Sequence, residues 1–120
     1  MRHYNKIKTK VLITGGAGFI GGNFVHYTVK NHPKYEITVI DALTYAGDTK
    51  TLDQVADKIS FVQGDICDRK LMDKLVGEND IVVHFAAESH NDNSLRDPWP
   101  FIQTNLIGTA TILEAVRKHN

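Results

Sequence analysis

An α/β fold built on a doubly wound parallel sheet is what this sequence predicts, and three observations predict it. Four short apolar or β-branched runs, Lys10–Thr14, Glu36–Ile40, Ile59–Val62 and Asp80–Ala86, alternate with segments of helical periodicity. The runs are near-continuous rather than alternating, which is the pattern of strands buried on both faces. Glycines crowd the junction between the first run and the first helix, Thr14-Gly15-Gly16-Ala17-Gly18-Phe19-Ile20-Gly21.

The elements follow in order. Residues 1–9 read as a basic arm with Arg2, Lys6 and Lys8, and no apolar stretch follows that would make it a secretory signal. Residues 10–120 read as one domain. After the first strand, Ile20, Phe24 and Tyr27 recur at i, i+4 and i+7, and the helix they predict stops near Asn31-His32-Pro33. A loop or short helix joins the second strand to the third. A second helix starts from Asp68 as N-cap, carries Leu71, Leu75 and Val76, and ends at Gly77. The last helix, the longest, opens at Asp97-Pro98. Its apolar stripe is Ile102, Leu106, Thr109, Leu113 and Val116, which suits either a core or a subunit interface. Arg117, Lys118 and His119 sit where a helix C-terminus favours positive charge. With right-handed crossovers, the expected strand order is 3-2-1-4, slightly more than one mononucleotide-binding half.

Composition narrows the function. The 120 residues allow one moderate core, and 42% hydrophobic with 23% charged residues is the balance of an ordinary soluble chain. Formal net charge is zero, so neither nucleic acid nor an anionic membrane is an expected partner. No apolar run nears the roughly 20 residues of a membrane span. The lone cysteine, Cys67, cannot form an internal disulfide and fits a reducing cytoplasm. His3, His26, His32 and His119 show no metal-ligand spacing among themselves or with Cys67, and no metal is expected. His84, inside the fourth strand, reads as a hydrogen-bonded core histidine.

The glycine junction carries the chemistry. A phosphate-binding turn needs one glycine for the tight turn, one for backbone approach to a pyrophosphate and one for close packing of helix on strand. The free N–H groups and positive dipole end of the helix then face the phosphates. The spacing fits both Gly16-x-Gly18-x-x-Gly21 and the wider Gly15-x-x-Gly18-x-x-Gly21. Asp41 ends the second strand twenty residues after Gly21, where an acid meets adenosine ribose hydroxyls. Its carboxylate would repel a 2′-phosphate, and no arginine lies between Ala42 and Thr51, so NAD is expected over NADP. Together these features predict the N-terminal part of a Rossmann-type domain with about four strands.

Further segments carry a resemblance. Asp41–Gly47 reads DALTYAG, Gly64–Asp68 reads GDICD, Phe85–Ser94 reads FAAESHNDNS and Pro100–Thr109 reads PFIQTNLIGT. With the glycine turn, the chain from Lys10 to His119 closely resembles the dTDP-glucose 4,6-dehydratase family of the extended short-chain dehydrogenase/reductase superfamily. The stretch Glu88-Ser89-His90-x-Asp92-x-Ser94 separates it from sugar-nucleotide epimerases and decarboxylases. The resemblance implies that Phe19 and Ile20 line a pyrophosphate site and that Asp41, Ala42, Leu43 and Thr44 surround the adenosine ribose. It implies that Asp65 and Ile66 flank adenine, with the Asp65 carboxylate accepting from the exocyclic amine. Phe85, Ala86, Ala87, Glu88 and Ser89 would run beneath the nicotinamide ribose, Ser89 would also touch the hexose, and Thr104 would sit near the cofactor. Asn93 departs from an arginine common in the family, and Gly22 from a serine.

The family reaction oxidises C4 of dTDP-glucose, eliminates water across C5–C6 and returns the hydride to C6. It uses a tyrosine with a lysine four residues on, an aspartate and a glutamate. In the family these follow the segment ending here, so no catalytic residue is expected in this chain, which reads as a dehydratase part inactive alone. The last helix is implied to join a homodimer through a four-helix bundle. Two other readings are an NAD-dependent epimerase fragment and a stand-alone non-catalytic NAD-binding module.

Overall fold

Four parallel strands make one sheet in the order β3-β2-β1-β4: β1 (Lys10–Thr14), β2 (Glu36–Asp41), β3 (Ile59–Gln63) and β4 (Ile81–His84). This is the expected order. The computed structural model describes residues 8–43, 49–86 and 97–120. β1 is central, with Leu12 paired to Thr38 on one side and Val82 on the other. Its residues Val11 to Thr14 are all buried, as the near-continuous apolar run requires.

Side chains alternate across a strand, so the sheet divides its apolar residues between two cores. Val11, Ile13, Ile37 and Val39 face one way, packing with Ala17, Val25, Leu52 and Val55. That face is covered by α1 (Phe19–Asn31) and a 3₁₀ helix (Thr49–Lys58), the latter in the stretch expected to be a loop or short helix. Leu12 and Ile40 face the other way, with Ile66, Met72, Leu75, Val76, Ile112 and Ala115. The cover there is α2 (Arg69–Gly77) and α3 (Thr109–His119).

Several elements differ from expectation for identifiable reasons. β4 is shorter than Asp80–Ala86. Asp80 instead closes the strand's start, its carboxylate accepting the Lys10 N–H at 2.9 Å. In α1 the buried residues are Gly21, Gly22, Val25 and Thr28, while Ile20 and Tyr27 stand exposed. The helix lies so close to the glycine turn that only small residues fit beneath its first turn.

In α2, the Asp68 carboxylate accepts the Leu71 N–H at 3.1 Å, the expected N-cap. Gly77 is not the stop. It is the last helical residue, followed by Glu78 in right-handed conformation, and its missing side chain leaves room for the His119 ring. Lys118 and His119 both reach Asp73, joining α3 to α2.

The last helix starts one residue later than expected, at Trp99 after Pro98, with the Asp97 carboxylate accepting the Trp99 N–H at 3.2 Å. It is not a continuous α-helix, however. A turn at Trp99–Phe101 leads into a π-helical segment, Ile102–Gly108, before α3. The wider π turns shift the phase of the periodicity. Gly108, Ile112 and Ala115 face the core, and Leu106, Leu113 and Val116 of the expected stripe face outward.

Candidate nucleotide-binding site

The turn between β1 and α1 is built on the wider-spaced glycines. Gly15 sits at φ +70°, and a Cβ there would lie 2.6 Å from the Ala86 nitrogen, so both conformation and space demand glycine. Its N–H donates to the Ile40 carbonyl at 2.8 Å, and its carbonyl accepts from Gly18 N–H at 3.2 Å. Gly21 packs on that same carbonyl so tightly that a Cβ would overlap it. Gly16 instead fits against Val39 and Val25 of the core.

Gly18 caps α1 in an extended conformation, and Gly22 N–H makes the first bond back into the helix, to Gly18 at 2.7 Å. The N–H groups of Phe19, Ile20 and Gly21 precede that bond and have no intrahelical acceptor. No acidic residue occupies this first turn, which leaves its positive end suited to an anion. The Phe19 and Ile20 side chains are 82% and 68% exposed, so what this turn offers a phosphate is backbone.

Asp41 ends β2 and is clipped to the turn. One carboxylate oxygen accepts the Ala17 N–H at 3.0 Å and the other accepts Leu43 N–H at 2.8 Å. Each oxygen keeps a lone pair for a hydroxyl donor. Leu43 holds φ +56°, a left-handed conformation that costs a leucine roughly 1 kcal/mol or more and turns the chain sharply behind the acid. Ala42 beside it is exposed. The 3₁₀ helix braces the same turn, the Thr51 hydroxyl donating to the Ala17 carbonyl at 3.1 Å. No sequence signal marked Thr51, because the contact spans 34 residues of chain.

Asp65 follows β3, and Gly64 N–H donates to the Asp41 carbonyl at 3.1 Å, so both acids lie at the carboxyl edge of the sheet. Asp65 accepts the Cys67 N–H at 2.8 Å, and burial with the neighbouring Asp65 carboxylate pushes the Cys67 thiol up from its ordinary value. The Ile66 side chain is in the core, against Gly108. Thr104 is half-buried in the π segment, which is tied to this loop by the Cys67 thiol donating to the Gln103 carbonyl at 3.1 Å.

On the other side of β1, Phe85 N–H donates to the Thr14 carbonyl at 2.9 Å and Ala86 N–H to the Thr14 hydroxyl at 3.2 Å. The Phe85 ring tilts against Phe24. The structure thus brings Gly15, Gly18, Gly21, Asp41 and Ala86 into direct register, with Asp65 and Thr104 on the same edge. Thr44, Ala87, Glu88 and Ser89 lie outside the described residues.

His84 is the hydrogen-bonded histidine expected, bound to the Thr14 and Thr109 hydroxyls, and burial pushes its ring below the ordinary value. A tyrosine with a lysine four residues on occurs once, at Tyr4 and Lys8. Lys8 precedes β1, at the strand end away from the glycine turn, and Tyr4 lies outside the described residues.

Sheet order, glycine turn and strand-end acid together define a Rossmann-type nucleotide-binding domain. Residues 12–120 match the family described as GDP-mannose 4,6 dehydratase, and the chain belongs to that family. It is 62% identical over 110 residues to a dTDP-glucose 4,6-dehydratase of Mycobacterium tuberculosis, covering 92% of this chain and 33% of the relative. Among solved structures, a dTDP-glucose 4,6-dehydratase from Streptomyces venezuelae with NAD bound matches at TM-score 0.88 and 40% identity, covering 92% of this chain and 36% of that one. A UDP-glucose 4-epimerase from Thermotoga maritima matches at TM-score 0.83 but 31% identity, covering 93% and 35%. The resemblance read from the motifs is borne out, and the chain spans about a third of the length of these relatives. Among the described residues no helix is long and apolar enough to cross a membrane.

Proposed function

We propose that this chain is the NAD-binding part of a dTDP-glucose 4,6-dehydratase, a lyase of nucleotide-sugar metabolism acting in the cytoplasm. The observation that carries the reading is the Asp41 carboxylate held at the end of β2 by the glycine turn's own Ala17 N–H. That arrangement suits a dinucleotide whose pyrophosphate meets the α1 N-terminus and whose adenosine ribose hydroxyls donate to Asp41. NAD, when bound, supplies the hydride acceptor for C4 oxidation and the hydride returned to C6.

The chain's own residues bind and orient. Phe19 and Ile20 give backbone N–H groups to the pyrophosphate, and Ala42, Leu43 and Thr44 complete the ribose pocket. Asp65 accepts from the adenine amine, and Ile66, its side chain in the core, contributes main chain. Phe85, Ala86, Ala87, Glu88 and Ser89 support the nicotinamide ribose, Ser89 also reaches the hexose, and Thr104 approaches the cofactor. Catalysis belongs to residues outside these 120. The exposed Leu106, Leu113 and Val116 support a homodimer through the last helix. Relatives matching at 62% and 40% identity favour a dehydratase over an epimerase at 31%.

Calorimetric titration with NAD and NADP tests the binding. NAD binds and NADP does not, and Asp41→Ala weakens NAD about tenfold or more, the worth of a charged hydrogen bond. Residues 1–120 alone turn over no dTDP-glucose, whereas the intact dehydratase forms the 4-keto-6-deoxy product. Absence of NAD binding by the wild-type chain overturns the reading.

A further inference from the structure

One half-buried titratable group is left unused by the reading above, yet it links two elements that border the site. His84 ends β4. Its Nδ1 lies 2.6 Å from the Thr14 hydroxyl and its Nε2 3.0 Å from the Thr109 hydroxyl. Thr14 is fully buried and is the last residue before Gly15. Thr109 opens α3 directly after the π segment that carries Thr104.

The pattern of donors is directional. The Thr14 hydroxyl oxygen accepts the Ala86 N–H at 3.2 Å, and its own hydrogen then has the His84 Nδ1 as acceptor. This arrangement suits a bare Nδ1 that accepts from Thr14, with Nε2 carrying the proton that goes to Thr109. A neutral imidazole, one donor and one acceptor, satisfies this chain from Ala86 to Thr109. An imidazolium has two donors. It would turn the Thr14 hydroxyl into a double acceptor whose hydrogen loses its partner in a buried place, at a cost. A Cβ on Gly15 would lie 2.6 Å from the Ala86 nitrogen, so the turn packs tightly against the chain that leaves β4.

We propose that His84, in its Nε2–H form, is a positioning residue for the dinucleotide: it fixes Gly15, Ala86 and the π segment relative to one another, and proton uptake by its ring loosens the site. The inference rests on the reading that the turn binds NAD. The groups bonded to the ring from β1 and α3 are Thr14 and Thr109, neither of them charged. Burial is what pushes the ring's proton affinity down, so it is neutral at pH 7.

Two pH windows follow. Between the ordinary histidine value of about 6.5 and the lower folded value, the unfolded chain holds a proton that the native one does not. Stability is therefore full above about pH 6.5, falls as pH drops to the folded value, and levels below it. NAD affinity behaves differently. It stays level down to the folded value, then weakens by up to tenfold per pH unit as free protein takes up a proton that the complex excludes.

The experiment measures the NAD dissociation constant and Tm of the intact protein from pH 8 down to the acid limit of the folded state, for wild type, His84→Asn and Thr109→Val. Wild type shows the one-proton loss of affinity in acid. His84→Asn binds several-fold more weakly at pH 7.5 with a flat profile, and Thr109→Val weakens binding while remaining folded. A wild-type dissociation constant independent of pH, or variants that lower Tm but bind with wild-type affinity and profile, overturns the positioning role. Failure of wild type to bind NAD at pH 7.5 overturns the underlying reading, and this inference with it.

Discussion

Gly21 and Gly22 are adjacent in the chain and opposite in tolerance. A Cβ at Gly21 would overlap the Gly15 carbonyl, a rigid backbone atom within the same turn. A Cβ at Gly22 would meet the Gly16 carbonyl and the Thr51 hydroxyl at 3.4 Å, ordinary contact. Gly22→Ala should therefore raise stability by about 0.5–1 kcal/mol through helix propensity alone, whereas Gly21→Ala should cost about 3 kcal/mol or more. Urea unfolding of the two variants checks this, and equal losses would show that α1 does not approach the turn as described. Asp41 was legible at this scale because strand-end position and spacing sufficed. Its bond to Ala17 was not, since no pattern reports which backbone N–H a carboxylate will find.

At the scale of elements, the strands were legible in place; the continuous apolar run reflects burial on both faces in β1 and most of β2, whereas β3 and β4, at the sheet's two edges, are partly exposed. The helices were legible in place but not in facing. Ile20 and Tyr27 looked like a core stripe, yet the small residues Gly21, Gly22 and Thr28 are what bring α1 close to the sheet. The π segment was invisible, since no residue pattern in Ile102–Gly108 distinguishes a π turn from an α turn. One of its contacts is testable. Gly108 lies so near the Ile66 side chain that a Cβ would overlap its tip. Gly108→Ala should cost roughly 1–3 kcal/mol from crowding, less about 1 kcal/mol of helix propensity. Ile66→Val alone should cost about 0.5–1.5 kcal/mol. The double variant should be less destabilised than the sum, because the shorter valine makes room. A strictly additive cycle would show that the two residues do not touch.

At the scale of the molecule, apolar surface remains on the outer face of the last helix, where Leu113 is 63% and Leu106 66% exposed. Contiguous exposed apolar surface marks interaction sites, and the homodimer proposed above would cover this face. Leu106→Glu with Leu113→Glu should leave the intact protein monomeric in sedimentation velocity, with NAD binding retained. A dimer that persists in that variant would place its interface elsewhere. The sheet order has a consequence for the protein's birth as well. Thr14 and His84 are neighbours in space but 70 residues apart in the chain. At translation rates of about 5–20 residues per second, roughly 4 to 14 s separate the making of β1 from the making of its second neighbour. Once β2 has been made and paired, β1 presents its other side as an open edge until β4 emerges, the kind of edge that invites mispairing.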